Sequence, residues 1–280
     1  MSAKLKREHD MKRRRTAISR GRGGRGFTLI ELLVVLAIIS LLVAVLLPSL
    51  GRVRSRARLI RCGSNVRSLA TAWIAYLNDH QGRFYQRPNA NVNYGGWRGL
   101  KDEKGWWPRP LNPWVGLPDP NGITEHTAAV FHCPADRGGI PDSYFLEKVY
   151  RAHGTSYQTN PFLIGPDNCK SYSDRTRELD LAIAARLPHL NMTRAASHTR
   201  LVLIGDYGWV NQWDPAPFLY PQWKEQAEWH GSADHHSVAF LDGRVAFTEI
   251  KKGIYVTSEY CVLPFQDLYS LATQVQGPAE

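Results

Sequence analysis

The sequence lacks the local motifs of the common enzyme classes. It has no Gly-x-Ser-x-Gly elbow, no glycine-rich phosphate loop with a lysine, and no carboxylate pair that sequence alone can place as acid and base. The His-Glu-x-x-His spacing of zinc peptidases is also absent. Because scattered Ser, His and Asp residues can be assembled into an imagined triad in any long chain, we predict that this protein is not an enzyme and needs no cofactor.

Acidic residues are scarce at the N-terminus. The 280 residues carry 35 Lys and Arg against 25 Asp and Glu, a formal net charge of +10. Residues 1–26 hold ten of these cations but only two acidic residues, Glu8 and Asp10, which leaves a charge of about +2 for the rest of the chain. The positive charge of this basic leader peptide indicates membrane topology rather than nucleic-acid binding. The leader has ten cations, whereas residues 52–61, after the apolar run, have five arginines, so we expect the leader to be on the cytoplasmic side.

The segment after the leader is apolar, with one charge. Glu31 is the only charged residue between residues 27 and 47. As a helix this run would be about 32 Å long, enough to cross a bilayer core of about 30 Å. We therefore predict a transmembrane helix over residues 27–50, kinked at Pro48, and a partner for the Glu31 carboxylate, because an unpaired charge inside a membrane is costly.

Residues 26–31 read Gly-Phe-Thr-Leu-Ile-Glu, between the basic leader and the apolar run. This segment resembles the N-terminal signature of type IV prepilins and type II secretion pseudopilins. The resemblance implies that a membrane-bound prepilin peptidase cuts between Gly26 and Phe27 and methylates the new amine of Phe27. It also implies that Glu31 pairs with the N-terminal amine of a neighbouring subunit and so sets the register of a filament, a role for which buried ion pairs are well suited.

Other interpretations of the N-terminus fit these residues less well. An uncleaved signal anchor gives Glu31 no role, although a charge within a membrane span is by default functional. A secretory signal peptide would have a shorter apolar core ending in small residues, whereas this run continues to Pro48. The arginines at residues 13–15 are not followed directly by the apolar core of a twin-arginine signal. Met11 is a second candidate for the start of the chain.

Helical periodicity continues beyond the apolar run. It predicts an amphipathic helix over residues 51–81, so that one helix extends from Phe27 to about His80 and rests on a globular head of residues 82–280. The residues predicted to face the head share spacings of three and four: Val53, Ala57, Ile60, Val66, Leu69, Ala70, Trp73, Ile74 and Leu77.

Strand patterns gather in the C-terminal half. Residues 200–206 predict a buried strand, and residues 236–250 predict a hairpin with a type I′ turn at Asp242-Gly243. Alternation should place Val238, Phe240, Val245 and Phe247 on one face, against the long helix. We therefore predict an α+β fold, in which a long N-terminal helix packs on a C-terminal antiparallel sheet, as in pilins.

Tryptophan, glycine and proline dominate the predicted loop region of residues 82–130. Exposed tryptophans such as Trp106 could bind a glycan or an envelope component, which makes a membrane-anchored binding module the alternative function. The competing interpretation is that these large aromatic side chains pack beneath the loop as a small core.

A second resemblance concerns the C-terminal half. A large bacterial subfamily of pilin-like proteins has a C-terminal pattern in which nine residues separate a His from Asp-Gly. This chain has a similar pattern in His230 and Asp242-Gly243, with eleven residues between them. Segments 131–136, 155–160 and 205–207 are also similar to internal motifs of that subfamily. The role of His230, Asp242 and Gly243 is left open.

Histidines and carboxylates around residues 230–242 invite a metal site, but adjacent His235 and His236 would point to opposite faces of a strand. We predict no metal site, and leave calcium binding by loop oxygens open.

The cysteines are Cys62, Cys133, Cys169 and Cys261. We predict disulfides between Cys62 and Cys133 and between Cys169 and Cys261, while other pairings and free buried thiols remain alternatives.

The sequence as a whole predicts a pilin or pseudopilin subunit with a single membrane pass. We expect it in a bacterial inner membrane, with its leader in the cytoplasm and its head in the periplasm. The expected partners are the prepilin peptidase, other pilin-like subunits and the inner-membrane assembly machinery, and no nucleic acid.

Overall fold

The computed structural model describes residues 27–86, 94–100, 109–117, 122–138, 148–164, 177–212 and 228–275. The chain divides into two compact units, Met1–Leu50 and Gly51–Glu280. The helices are α1 (Leu29–Asp79), α2 (Val149–His153), α3 (Pro161–Ile164), α4 (Arg177–Arg186) and α5 (Tyr269–Val275). The strands are β1 (Tyr157–Thr159), β2 (Val202–Asp206), β3 (His235–Phe240) and β4 (Val245–Glu249). Short 3-10 helices lie at Pro113–Val115, Ala129–Phe131, Leu187–His189, Met192–Arg194, Tyr207–Gln212 and Gln266–Leu268.

Helix α1 is continuous over 51 residues and agrees closely with the predicted helix. It runs through Pro48 without interruption, so the kink at that residue stays a prediction. The helix ends where Gln81 and Gly82 adopt φ angles of 56° and 76°. Two successive residues in the left-handed region cannot continue an α-helix, and the Gly82 amide instead donates to the Leu77 carbonyl at 2.6 Å.

The buried face of α1 begins later than its periodicity predicts. From Cys62 onward the helix buries a stripe at spacings of three and four: Cys62, Val66, Leu69, Ala70, Ala72, Trp73, Tyr76 and Leu77. Val53 and Ile60 were predicted on the same stripe, but they are 62% and 65% exposed; Ala57 is exposed too. That part of the prediction is wrong, because the described part of the head covers the helix only from Cys62 onward.

The sheet has four antiparallel strands in the order β1-β2-β3-β4. Strand β2 is buried along its whole length, as predicted. The predicted hairpin is formed by β3 and β4, in which Ser237 pairs with Phe247 and Ala239 with Val245. Because paired residues share a face, Val245 and Phe247 lie opposite to Val238 and Phe240, and the prediction that all four share one face is wrong. A Cβ on Gly63 of α1 would lie 3.9 Å from Cγ1 of Val245, so β4 approaches the helix. The α+β prediction, with a long helix and a C-terminal antiparallel sheet, is confirmed.

The hairpin turn differs from the predicted type I′ turn. Such a turn needs positive φ at both central residues, but Gly243 has a φ of 85° whereas Asp242 does not adopt a positive φ. The Gly243 amide donates to the Phe240 carbonyl at 2.9 Å, and the Phe240 amide donates to the Arg244 carbonyl at 2.9 Å. The connection is therefore a turn followed by a glycine bulge, a common arrangement in hairpins with slightly longer loops.

Trp73 joins α1 to the sheet. Its side chain is fully buried, and its indole N–H donates to Oγ1 of Thr159 in β1 at 3.1 Å. Its ring centroid lies 5.0 Å from that of Tyr94 and 5.5 Å from that of Tyr76. A large apolar surface and one directional hydrogen bond thus fix the helix against β1.

Asp136 connects the segments that lead into α2 and β1. Its buried carboxylate accepts four hydrogen bonds, from the amides of Gly138 (3.0 Å), Val149 (3.0 Å) and Tyr150 (2.8 Å) and from the hydroxyl of Ser156 (2.7 Å). Two of these amides open α2. A carboxylate suits this position because it is an acceptor on both oxygens, whereas an amide would present a donor to other donors.

We expect Trp73→Ala to lower the free energy of unfolding by about 3–5 kcal/mol, because it removes a fully buried indole and leaves a cavity. Trp114→Ala is the matched control, since Trp114 is 37% exposed, and should change the free energy by less than about 1 kcal/mol. The measurement is urea unfolding of the full chain in detergent, followed by far-ultraviolet circular dichroism. Equal losses in the two variants would contradict the anchoring role of Trp73.

Candidate functional site

The structure places the predicted processing site at the start of α1. Gly26 lies outside the described residues. Phe27 and Thr28 precede the helix, and Phe27 is 73% exposed. On the described side of the predicted cleavage point, the chain is therefore non-helical and exposed.

Thr28 and Glu31 form a reciprocal cap at this end of α1. The Thr28 amide and hydroxyl each donate to Oε2 of Glu31 at 2.9 Å, and the Glu31 amide donates to Oγ1 of Thr28 at 3.2 Å. This is the capping-box arrangement, in which the residue before the helix and the third helical residue satisfy each other's amides. Glu31 was predicted to act in assembly alone and Thr28 was not predicted at all, although Thr-x-x-Glu before an apolar run is a recognised signal for the start of a helix.

The apolar part of α1 is exposed around its whole circumference. All residues from 29 to 50 are exposed, and the segment has the length and hydropathy of a membrane span. In the part of the chain that the structure describes, α1 is the one helix that is long and apolar enough to span a membrane. An apolar cylinder of this size is unfavourable in water, so its surroundings must be lipid or other apolar helices.

A second candidate site is buried in the unit Gly51–Glu280. Cys62 of α1, Cys133 and His230 bring their ligand atoms within 4.8 Å of one another. Sγ of Cys133 lies 3.8 Å from Nε2 of His230. The three residues belong to α1, to the segment after the Ala129–Phe131 turn, and to the turn before β3.

The two predicted disulfides both stay predictions. Cys62 and Cys133 are neighbours, as their predicted pairing requires, but both are free thiols in the structure, and the bond between them stays a prediction. Cys169 lies outside the described residues, so its pairing with Cys261 is also untested. Cys261 is a buried free thiol whose Sγ accepts a hydrogen bond from the Tyr269 hydroxyl at 3.3 Å.

A buried carboxylate stands next to the Cys-His cluster. Oδ2 of Asp206, at the end of β2, lies 3.7 Å from Nε2 of His230 and accepts the Ser237 amide at 2.7 Å. Its Oδ1 is 2.8 Å from Nδ1 of His236. Within the described residues, Nε2 of His236 is buried without a hydrogen-bond partner. Asp206 thus links β2 and β3 and places a negative charge beside His230.

The pKa values of the two thiols in the cluster shift in opposite directions. Burial opposes ionisation of Cys62, but hydrogen bonds from Cys133 and His230 outweigh it and lower the pKa of Cys62 to about 6. Burial and the neighbouring Cys62 raise the pKa of Cys133 well above its usual value. Burial disfavours the His230 imidazolium, yet the hydrogen bond with Cys62 and the charge of Asp206 raise the pKa of His230. The shared hydrogen bonds thus favour ionisation of Cys62 over ionisation of Cys133.

The parts of the His230 and Asp242-Gly243 pattern do not meet in the structure. His230 belongs to the buried cluster before β3, whereas Asp242 and Gly243 form the turn after it. The internal segments that resemble subfamily motifs do come together. The Ser156 amide donates to the Phe131 carbonyl at 2.8 Å, and the Tyr207 amide donates to the Ser156 carbonyl at 2.9 Å.

The tryptophan-rich region is described only in part. Trp106 and Trp107 lie outside the described residues, so a binding role for Trp106 stays a prediction. Trp97 is partly buried, and its indole N–H donates to the Tyr150 carbonyl at 3.1 Å, which agrees with packing beneath the loop.

The N-terminal part of the chain is similar to known proteins. Residues 22–47 match the family described as the prokaryotic N-terminal methylation motif. The chain is 48% identical, over 58 residues, to the type IV wide pilus major component PilA4 of Thermus thermophilus. That stretch covers 21% of this chain and 36% of the relative, so the similarity spans about a third of the relative's length. No solved structure matches the chain. The protein is therefore type IV pilin-like in its N-terminal motif, and the comparisons assign nothing to the buried cluster.

We expect Asp206→Ala to lower the free energy of unfolding by about 2–4 kcal/mol, because it leaves the Ser237 amide and the His236 ring without their buried acceptor. Asp242→Ala removes an exposed turn carboxylate and should cost no more than about 1 kcal/mol. Urea unfolding of the two full-length variants gives the comparison. A loss below about 1 kcal/mol for Asp206→Ala would show that β2 and β3 do not depend on this carboxylate.

Proposed function

We propose that this chain is a pilin-like subunit that a prepilin peptidase cleaves between Gly26 and Phe27 and that assembles through α1 into a type IV pilus or type II secretion filament. The observation that carries the proposal is the methylation motif at residues 22–47, whose apolar residues from Leu29 onward belong to a helix that is exposed on every side up to Leu50. The similarity to a major pilus component supports a structural role rather than a catalytic one.

Processing needs access to the peptide bond and produces a charged end. The exposed, non-helical position of Phe27 supports access, and Gly26 has no side chain to obstruct a protease. Cleavage leaves a positive amine on Phe27, which methylation preserves as a cation. This places one positive and one negative group, four residues apart, at the end of an apolar helix.

Assembly then uses the carboxylate that the cap has already oriented. Thr28 holds Oε2 of Glu31 through two hydrogen bonds, and within the described residues Oε1 accepts none. In a filament, Oε1 would receive the Phe27 amine of a neighbouring subunit. The pair would neutralise two charges in an apolar surrounding and would be satisfied in one register only.

The same segment supports a single membrane pass before assembly. We place the leader in the cytoplasm and the Gly51–Glu280 unit in the periplasm, with α1 in the inner membrane. The basic leader and the apolar length of α1 support this orientation. The partners are then the prepilin peptidase, neighbouring pilin-like subunits and the inner-membrane assembly machinery.

Processing is tested by intact mass and N-terminal sequencing of membrane-extracted protein from cells with and without the prepilin peptidase. We expect a chain that starts at a methylated Phe27 when the peptidase is present, and an intact leader when it is absent. A leader retained in both strains would overturn the proposal and leave an anchored envelope protein.

Assembly is tested with Glu31→Gln, which removes the charge but keeps an acceptor for Thr28. We expect sheared filaments to fall at least about tenfold, because the neighbouring amine loses its counter-charge while the cap survives. Ser40→Ala is the matched control, since the Ser40 hydroxyl donates to the Leu36 carbonyl of its own helix at 2.7 Å and has no other hydrogen bond among the described residues. Processing is verified by mass in both variants. Wild-type filament levels in a processed Glu31→Gln variant would exclude the pairing mechanism.

A further inference from the structure

We propose that Cys62, Cys133 and His230 form a binding site for a thiophilic divalent metal ion, with Zn²⁺ as the best match. Two sulfur ligands and one imidazole are the donor set that zinc prefers, and softer ligands disfavour Mg²⁺ and Ca²⁺. The site lies within the unit Gly51–Glu280 and is independent of the assembly role of α1 residues 29–50.

The ligand spacing agrees with a coordinated ion. With a Zn–S distance of about 2.3 Å and a Zn–N distance of about 2.05 Å, tetrahedral geometry puts sulfur and nitrogen about 3.6 Å apart. Sγ of Cys133 and Nε2 of His230 are separated by 3.8 Å, and all three ligand atoms lie within 4.8 Å of one another. The ligands are thus arranged around a point that one ion can occupy.

Charge and burial also favour an ion at this point. Two thiolates balance the charge of Zn²⁺, so a neutral centre results without burying an isolated charge. The Asp206 carboxylate, 3.7 Å from Nε2 of His230, adds a favourable negative potential. Its oxygens are already held by His236 and Ser237, so its role is to support the ion rather than to replace a thiolate. A water molecule would complete the fourth position.

A bound ion would connect three segments that are distant in sequence. Cys62 lies on the first buried turn of α1, Cys133 follows the Ala129–Phe131 turn, and His230 precedes β3. Because structural zinc contributes its binding energy to folding, occupancy should stabilise the attachment of α1 to the sheet. The competing chemistry is a Cys62–Cys133 disulfide, which would consume both thiolates and exclude the metal.

The test uses full-length protein extracted in detergent with reductant, loaded with Zn²⁺ and dialysed extensively. We expect about one zinc per chain by elemental mass spectrometry. Cys62→Ser, Cys133→Ser and His230→Gln should each weaken binding at least about tenfold. Cys261→Ser and His235→Gln, which change a thiol and an imidazole outside the cluster, should retain it. X-ray absorption should show sulfur at about 2.3 Å and nitrogen at about 2.0 Å from zinc.

A folding readout separates lost ligands from lost structure. Zinc should raise the midpoint of thermal unfolding of the wild type and of Cys261→Ser, but not that of His230→Gln, while circular dichroism shows that His230→Gln is folded. Wild-type protein that holds less than about 0.1 zinc per chain under reducing conditions would overturn the proposal. So would a Cys62–Cys133 disulfide, found by peptide mass spectrometry in protein isolated without reductant. Neither result depends on leader cleavage or filament assembly.

Discussion

An apolar helix surface without a partner is the constraint on which the rest of this molecule depends. Over residues 29–50 every side of α1 is exposed, and most of the side chains are aliphatic. Hydrophobic burial is the largest favourable contribution to protein folding and association, so this segment has to find lipid or other apolar helices. The single carboxylate in it then limits the arrangements that are acceptable, because each of them must also neutralise Glu31. The cap by Thr28 fixes the orientation of that carboxylate before any partner arrives.

The later part of the same helix meets a different requirement. From Cys62 onward it is a core element, and Trp73 joins its apolar packing to a hydrogen bond with β1. In the described part of the head the helices other than α1 are short, and buried polar side chains supply hydrogen bonds between its segments. Asn160, for example, donates to the carbonyls of Val202 and Val262 at 2.7 and 2.8 Å and accepts the Phe162 amide at 3.0 Å. Asp136 does the same for the segments that lead into α2 and β1, and Asp206 adds side-chain bonds between the paired strands β2 and β3.

The sequence pattern predicted the elements whose formation depends on residues close together in the chain. The length of α1, the membrane-length run, the buried strand β2 and the β3–β4 hairpin follow from periodicity and composition within short windows. The extent of the buried stripe did not, because whether Val53 and Ile60 are covered depends on where the head begins. The hairpin turn was misjudged because Asp-Gly serves both type I′ turns and glycine bulges, and the hydrogen bond from Gly243 to Phe240 distinguishes them only in the structure.

The Cys-His cluster shows the same limit more sharply. Cys62 and Cys133 are distant in sequence from residues 230–242, so no short ligand spacing predicts the cluster, and only long-range contacts bring its members together. Two cysteines alone would be explained by a disulfide. The third member argues for more, since a disulfide has no need of a buried imidazole directed at a sulfur, or of a carboxylate beside that imidazole. Burying His230 and Asp206 is costly unless their polar atoms gain something in return, and a cation shared with two thiolates would supply it.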